Sequence, residues 1–403
     1  MSKNVVKNRI FGNELKYLKQ VLKTEFRTSS GSKMVSKFEK QFAKKFNSKY
    51  AIAFTNGTAT MHAALEALGV RAGDEVIVPP LTMSATSFAV LQANATPVFA
   101  DIEPDTFQIS AQSILKCITS KTKGIITVAL YGMCPDMDKI LKISKKYNLF
   151  ILEDNAECFL GKYKNKTVGT IGDCASFSFQ SSKHLTSGEG GVIITSNKNL
   201  ASKIRRIQSL GYAGVSFNKS KITKKDIQDP NYSRHIVLGW NYRMPELCAA
   251  VALGQLENIN TLVNKRIEVA KIYEKAVKDF SWFKPQFVGK DYVHTYWTWA
   301  AYLERKDISW YQFRDRFISN GGDGIYSAWK LTYLEPMFQR LNLLGREKFI
   351  NLKNIKKYKK KEICPVAEKI YKRLFQFKTN YWDLNHAKKQ AEILKLTLKS
   401  FEK

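Results

Sequence analysis

Between residues 50 and 200 the chain alternates short apolar runs with stretches whose apolar positions recur every three to four residues. The short runs are YAIAF (50–54), DEVIVPP (74–80), TPVFADI (96–102), GIITVALYG (124–132), NLFILED (148–154), CASFSF (174–179) and GGVIIT (190–195). Continuous apolar runs of this length, bounded by Gly, Pro and Asp, predict strands buried on both faces. The intervening TATMHAALEALG and DMDKILKISKKYN carry helix-period apolar residues and stop at Gly or Asn. Such alternation predicts an α/β domain with a mainly parallel sheet covered on both faces. Residues 239–277, GWNYRMPELCAAVALGQLENINTLVNKRIEVAKIYEKAV, predict a long helical segment. After it come aromatic strand-like pieces such as YVHTYWTWAAYLE (292–304), then Lys-rich helices. The change of character predicts a large domain over 1–265, with an N-terminal helical segment, and a smaller C-terminal α+β domain over 266–403.

A chain of 403 residues exceeds one small core, in keeping with that division. No apolar run approaches the length of a membrane helix. The polar, charged start MSKNVVKNRIFGNELKYLKQ lacks the apolar middle of a secretory signal. The six cysteines are scattered, without a CxxC pair or metal-ligand spacing, so no metal is expected. Several lie in apolar stretches, which suits a reducing compartment and points to the cytoplasm. The formal charge of +30 suggests attraction to anions. Lysines spread from end to end, and NLKNIKKYKKKEICP (351–365) is only a local patch. Without an Arg-rich reading surface or a recognisable module, nucleic acid is not the expected partner.

Candidate chemistry gathers at the carboxyl ends of the strands, where ligands sit in open α/β sheets. Asn56-Gly57-Thr58 leads from a strand into a helix, and the free N–H groups of such a turn suit a phosphate. A plain Thr-capped turn explains the same residues. Asp154 ends FILED, where a carboxylate can stabilise a protonated ring nitrogen or simply cap the next turn. In FSFQSSKHLTSGEGG (177–191), Lys183 follows a strand and precedes flexible glycines. A lysine held there can form a Schiff base, and Ser178 on the strand can reach a phosphate. Taken alone, Lys183 is equally an ordinary solvated lysine, and the adjoining His184 a capping or surface residue. Together, a phosphate turn, an Asp for a pyridine nitrogen and a strand-end Lys are what pyridoxal 5′-phosphate (PLP) requires. Their order along the chain is that of a fold-type-I PLP-dependent enzyme.

The chain resembles the DegT/DnrJ/EryC1/StrS family of PLP-dependent sugar aminotransferases. The resemblance is carried by residues 56–106, by LYGMCPDMDKI (130–140), by residues 153–195 and by LGWNYRMPELCAAVALGQLENI (238–259). CPVAEKIYKRLFQF (364–377) resembles the family's closing helix. The resemblance implies a fold-type-I transferase in which Lys183 holds PLP as a Schiff base and shuttles protons. It implies Asp154 on the pyridine nitrogen, with Gly57, Thr58 and Ser178 on the phosphate. Glu157 stands near the ring hydroxyl, and Asn241 reaches the phosphate from the neighbouring subunit of a homodimer. Arg243 orients substrate or the dimer seam, or forms a structural salt bridge. Met83 occupies the position that often carries an aromatic stacked on the ring, and 321–338 follows the substrate-loop pattern only loosely. The implied reaction moves an amino group from L-glutamate to a keto sugar, probably nucleotide-linked, for glycan or glycosylated-metabolite synthesis. A dehydratase branch carries His where the aminotransferases carry Lys; here that position is Lys183. The alternatives are that dehydration, or a non-catalytic protein of the same fold that binds anions or regulates.

Overall fold

The computed structural model describes residues 8–26, 33–358 and 362–402. Fourteen strands lie within the described residues. In chain order the first nine are β1 (Tyr50–Phe54), β2 (Glu75–Val78), β3 (Thr96–Phe99), β4 (Thr122–Val128), β5 (Phe150–Asp154), β6 (Lys162–Tyr163), β7 (Lys166–Thr167), β8 (Cys174–Ser178) and β9 (Gly191–Thr195). Five more follow: β10 (Phe283–Pro285), β11 (Tyr292–Val293), β12 (Thr298–Leu303), β13 (Tyr326–Ser327) and β14 (Leu374–Lys378). The main sheet has the order β1-β9-β8-β5-β4-β2-β3. Only β9 runs against the rest, pairing antiparallel with both β1 and β8. The expected mainly parallel α/β sheet is therefore present. Buried side chains along β2, β5 and β9 explain their near-continuous apolar sequences, since helices cover both faces.

Local sequence places the connecting helices. Asn56 caps the helix Gly57–Ala67 by accepting the Ala59 N–H at 2.8 Å. Asp136 caps Met137–Tyr147 in the same way, and Asn148 ends that helix in the left-handed region at φ 52°. The helical segment expected after residue 239 is two helices, Glu246–Glu257 and Ile259–Val277, meeting at Asn258. Ile259, Leu262 and Val263 pack with Phe38, Phe42 and Phe177 beneath the main sheet. Further along the same helix, Val269, Tyr273 and Val277 pack with Trp299 and Phe375 of the smaller sheet, β10-β12-β14-β13. One continuous helix thus spans two cores. Between β13 and β14 the chain returns to the main sheet, where Tyr333, Phe338 and Tyr358 cluster with Val76 and Phe99. Tyr358 Oη accepts the Phe99 N–H and donates to the Pro97 carbonyl, tying that segment to β3.

Two sequence expectations change. In 364–377 only Pro365–Ile370 is α-helical; a 3₁₀ turn follows, and Leu374–Lys378 is a strand. Its backbone groups pair with both β12 and β13, and this sheet pairing overrides helix continuation. The closing helix is Leu384–Lys399. The run 292–304 divides between two sheets, with β11 on the β6–β7 hairpin and β12 in the smaller sheet. Residues 1–7 and lysines 359–361 of the basic run lie outside the described residues. The cysteines are free, and most are buried in apolar surroundings, as their sequence contexts suggested.

A buried ion pair fastens the N-terminal helical segment to the main domain. Arg205 donates to both carboxylate oxygens of Glu39 at 2.7 and 2.6 Å, and Glu39 also accepts the Ala53 N–H of β1 at 2.8 Å. Truncating one partner leaves the other as an uncompensated buried charge. Arg205→Ala is expected to lower unfolding free energy by about 3–5 kcal/mol. Urea denaturation followed by far-UV circular dichroism would measure it; a change below about 1 kcal/mol would mean the pair is dispensable.

Candidate active site

Strands β1, β4, β5 and β8 deliver their carboxyl ends to one cavity of about 350 Å³. Gly57, Thr58, Met83, Asp154, Glu157, Ser178 and Lys183 all line it. A larger groove of about 860 Å³, lined by Phe107, Phe283 and Pro365 among others, contains none of these residues. The smaller cavity is the site because it combines a buried amine with two buried carboxylates and a helix N-terminus.

Each position has a local cause. The helix Gly57–Ala67 opens immediately after β1, so its first N–H groups and positive dipole end face the cavity. A Cβ at Gly57 would stand 2.9 Å from Ser178 Cβ, closer than real contacts allow. Glycine is therefore what lets the helix start approach the end of β8. Asp154 closes β5, where its Oδ2 accepts from Thr86 Oγ1 at 2.8 Å and its Oδ1 from the Ala156 N–H at 3.2 Å. Burial pushes this carboxyl up, opposed by the Thr86 bond, the Ala156 bond and the charge of Lys183. Glu157 lies one turn later. It too is pushed up by burial, opposed first by the charge of Lys183, and its Oε2 accepts the Tyr131 N–H at 2.9 Å.

Lys183 is buried in the irregular turn after β8, with Nζ 3.4 Å from Glu157 Oε1. Gly188, at φ 82°, allows the chain to reverse there before β9. The amine also lies 4.5 Å from the centre of the Trp297 ring, within cation–π range. Trp297 stacks with Trp329 at 5.9 Å, and both line the cavity. These two indoles and Thr86 were missed in the sequence. Thr86 lies in an ordinary apolar helix, and the tryptophans arrive from the smaller sheet and the segment after β13, far away in sequence.

His184 is neither a surface residue nor a cap. It is buried, and its Nε2–H donates to the Thr295 carbonyl at 2.8 Å, so its ring turns away from the cavity. Burial holds it well below the ordinary histidine range, and it stays neutral. The adjacent lysine and histidine are thus sorted by tertiary packing: one amine faces the cavity and one imidazole serves the core. Asn241 is exposed and is not among the residues lining this chain's own cavity. Met83 lines the cavity rim half-exposed, and Arg243, also exposed, lies beside β1 through a bridge to Phe54.

PLP fits these residues. The glycine-dependent approach of the helix start to Ser178, a buried carboxylate and a buried lysine amine match the phosphate, ring nitrogen and aldehyde of that cofactor. Comparison with known proteins agrees. Residues 8–380 match the DegT/DnrJ/EryC1/StrS aminotransferase family. The GDP-perosamine synthase of Escherichia coli O157:H7 is 39% identical over 286 residues, 71% of this chain and 74% of that one. The GDP-perosamine synthase of Caulobacter vibrioides is also 39% identical, over 68% of this chain and 69% of that one. The X-ray structure of an aminotransferase from Psychrobacter cryohalolentis superposes with a TM-score of 0.85 at 28% identity, over 97% of both chains. No described helix is long and apolar enough to cross a membrane, and no described cluster of side chains is suited to hold a metal. The chain belongs to the DegT/DnrJ/EryC1/StrS aminotransferase family and, as a member, is a PLP-dependent sugar aminotransferase.

Proposed function

We propose that the protein transfers an amino group from L-glutamate to a nucleotide-linked keto sugar in the cytoplasm. The observation that carries this reading is the Lys183 amine, buried 3.4 Å from Glu157 in the cavity that also holds Asp154 and the start of the Gly57–Ala67 helix. When bound, PLP supplies an aldehyde carbon that accepts the amino group and a ring that spreads the electron pair released at the reacting carbon. The first N–H groups of the Gly57–Ala67 helix at Gly57 and Thr58, with the Ser178 hydroxyl, hold the phosphate. Asp154 keeps a proton on the ring nitrogen, and the Thr86 bond fixes its carboxylate for that purpose. Glu157 lies by the ring hydroxyl, and Met83 packs its thioether against a ring face. Lys183 Nζ is the group that carries protons to and from the reacting carbon, the usual work of an amine free to alternate between charged and neutral forms.

The functional unit in this reading is a homodimer in which Asn241 reaches the phosphate of the neighbouring subunit's site; its exposure outside its own cavity supports that assignment. A GDP-linked keto sugar is the first acceptor to test, because two similar proteins carry the name GDP-perosamine synthase. Dehydration is disfavoured: the histidine beside Lys183 is turned into the core and bonded to Thr295. The experiment is an absorbance spectrum of the PLP-loaded protein before and after L-glutamate. A visible band that moves toward the near-ultraviolet on glutamate, and returns on adding a GDP-linked keto sugar, is expected. A band unmoved by glutamate would rule out that donor, and loss of a sugar hydroxyl without amine gain would establish the dehydratase.

A further inference from the structure

Residues 181–184 belong to no helix or strand, so their carbonyl groups lack the partners that regular structure would supply. Two guanidinium groups from distant parts of the chain take them instead. Arg9 donates to the carbonyls of Ser181 at 2.7 Å, Lys183 at 2.8 Å and His184 at 3.2 Å. Arg266 donates to the carbonyls of Ser182 at 2.8 Å and Lys183 at 3.4 Å. Four successive carbonyls are thus held from two directions.

Both arginines are themselves fixed. The Arg9 carbonyl accepts from the side chain of Gln255, a fully buried residue of the helix Glu246–Glu257, at 2.6 Å. Arg266 sits on the helix that spans the two cores and also donates to the carbonyl of Trp297, whose ring faces Lys183, and to Thr379 Oγ1 at 3.2 Å. Neither shows a carboxylate partner among the ion pairs of the described residues. Burial lowers both guanidiniums, and each remains cationic at neutral pH. Burying two cations side by side is costly, and seven carbonyl and hydroxyl bonds are what offsets it. If the turn only needed to be folded, one neutral amide donor per carbonyl would serve at lower cost.

We propose that Arg9 and Arg266 are positioning residues that clamp the backbone of the Lys183 turn, so that the lysine side chain can leave the cofactor and return to it over a fixed Cα. The inference rests on the reading of Lys183 as the PLP-bearing lysine. In transamination the Lys183–cofactor bond must break and re-form in every cycle, whereas a drifting Cα would misplace Nζ by the ångström or so that orientation effects punish heavily. Planar forks suit the task because each guanidinium spans adjacent carbonyls, which a lysine ammonium cannot do with the same geometry.

Arg9→Gln is the test, because Arg9 lies near the surface and its replacement spares the core. PLP-loaded protein is treated with borohydride, and the fraction modified at Lys183 is read by peptide mass spectrometry. The bond trapped forms from the lysine amine and the cofactor aldehyde with loss of water; borohydride then delivers hydride to the carbon. Expected are a trapped fraction several-fold below wild type at limiting PLP, and a kcat lower by about tenfold with the KM for glutamate little changed. Arg266→Lys, which keeps the charge and loses the fork, is expected to share the defect. A thermal midpoint lowered in both variants, with trapping and kcat at 20 °C equal to wild type, would overturn the clamp and leave a structural role only. Failure of the wild type itself to be modified at Lys183 would instead overturn the reading on which the clamp rests.

Discussion

Lys183→Ala is expected to abolish amino transfer, by about 10⁴-fold or more, while the protein stays folded and still takes up PLP. The loss is large because one atom, Nζ, is both the covalent anchor and the proton carrier, and no other described amine lines the cavity. Folding survives because the side chain makes few bonds besides those with Glu157 and the Trp297 ring. Glu157 loses its cation, and an already raised carboxyl then takes up a proton instead of remaining a buried unpaired charge. Desalting separates the two effects: PLP held by phosphate and ring contacts leaves the variant slowly, and the wild type retains it covalently. A variant that transfers amino groups at even one-hundredth of the wild-type rate would show that Lys183 is not the anchor.

Asp154→Asn is expected to reduce kcat by about 10²–10³-fold, and at the same time to stabilise the cofactor-free protein at neutral pH. The amide preserves the shape and the hydrogen bond from Thr86 but cannot hold a positive charge on the ring nitrogen. The stability effect follows from linkage. Burial raises the Asp154 carboxyl in the folded state, so the folded chain binds that proton more tightly than the unfolded chain does. Its contribution is fully present below the ordinary aspartate range and is lost as pH rises through the raised folded value. Wild-type protein without PLP should therefore lose thermal stability relative to Asp154→Asn as pH climbs from that range toward neutrality. Bound PLP supplies the missing cation, so the order should reverse in the loaded proteins. Melting both proteins across pH, with and without PLP, tests this. Equal midpoints at every pH would mean the carboxylate is not strained by burial, and an unimpaired kcat would remove it from the ring nitrogen.

The main sheet was legible because its strands are buried on both faces, which leaves long apolar runs such as FILED and GGVIIT with sharp polar ends. Lys183, Asp154 and Gly57 stood out because each follows such a run, where the chain leaves the sheet. The smaller domain was less legible. LFQF extends an apparent helix in sequence, yet two neighbouring strands claim its backbone. Trp297 and Trp329 carried no local mark of function, since an indole beside a cavity and an indole in a core look alike in sequence.

The sequence by itself determined the α/β class, the order of strands and helices through residue 200, and the residue types that meet the cofactor. These depend on local period and on chain exits from strands, which are properties of neighbouring residues. Only the tertiary structure decided which of Lys183 and His184 faces the cavity, that Thr86 supports Asp154, and that arginines 9 and 266 grip the turn between them. Those facts depend on contacts across tens to hundreds of residues, whose distances are set by how the sheet and helices pack together.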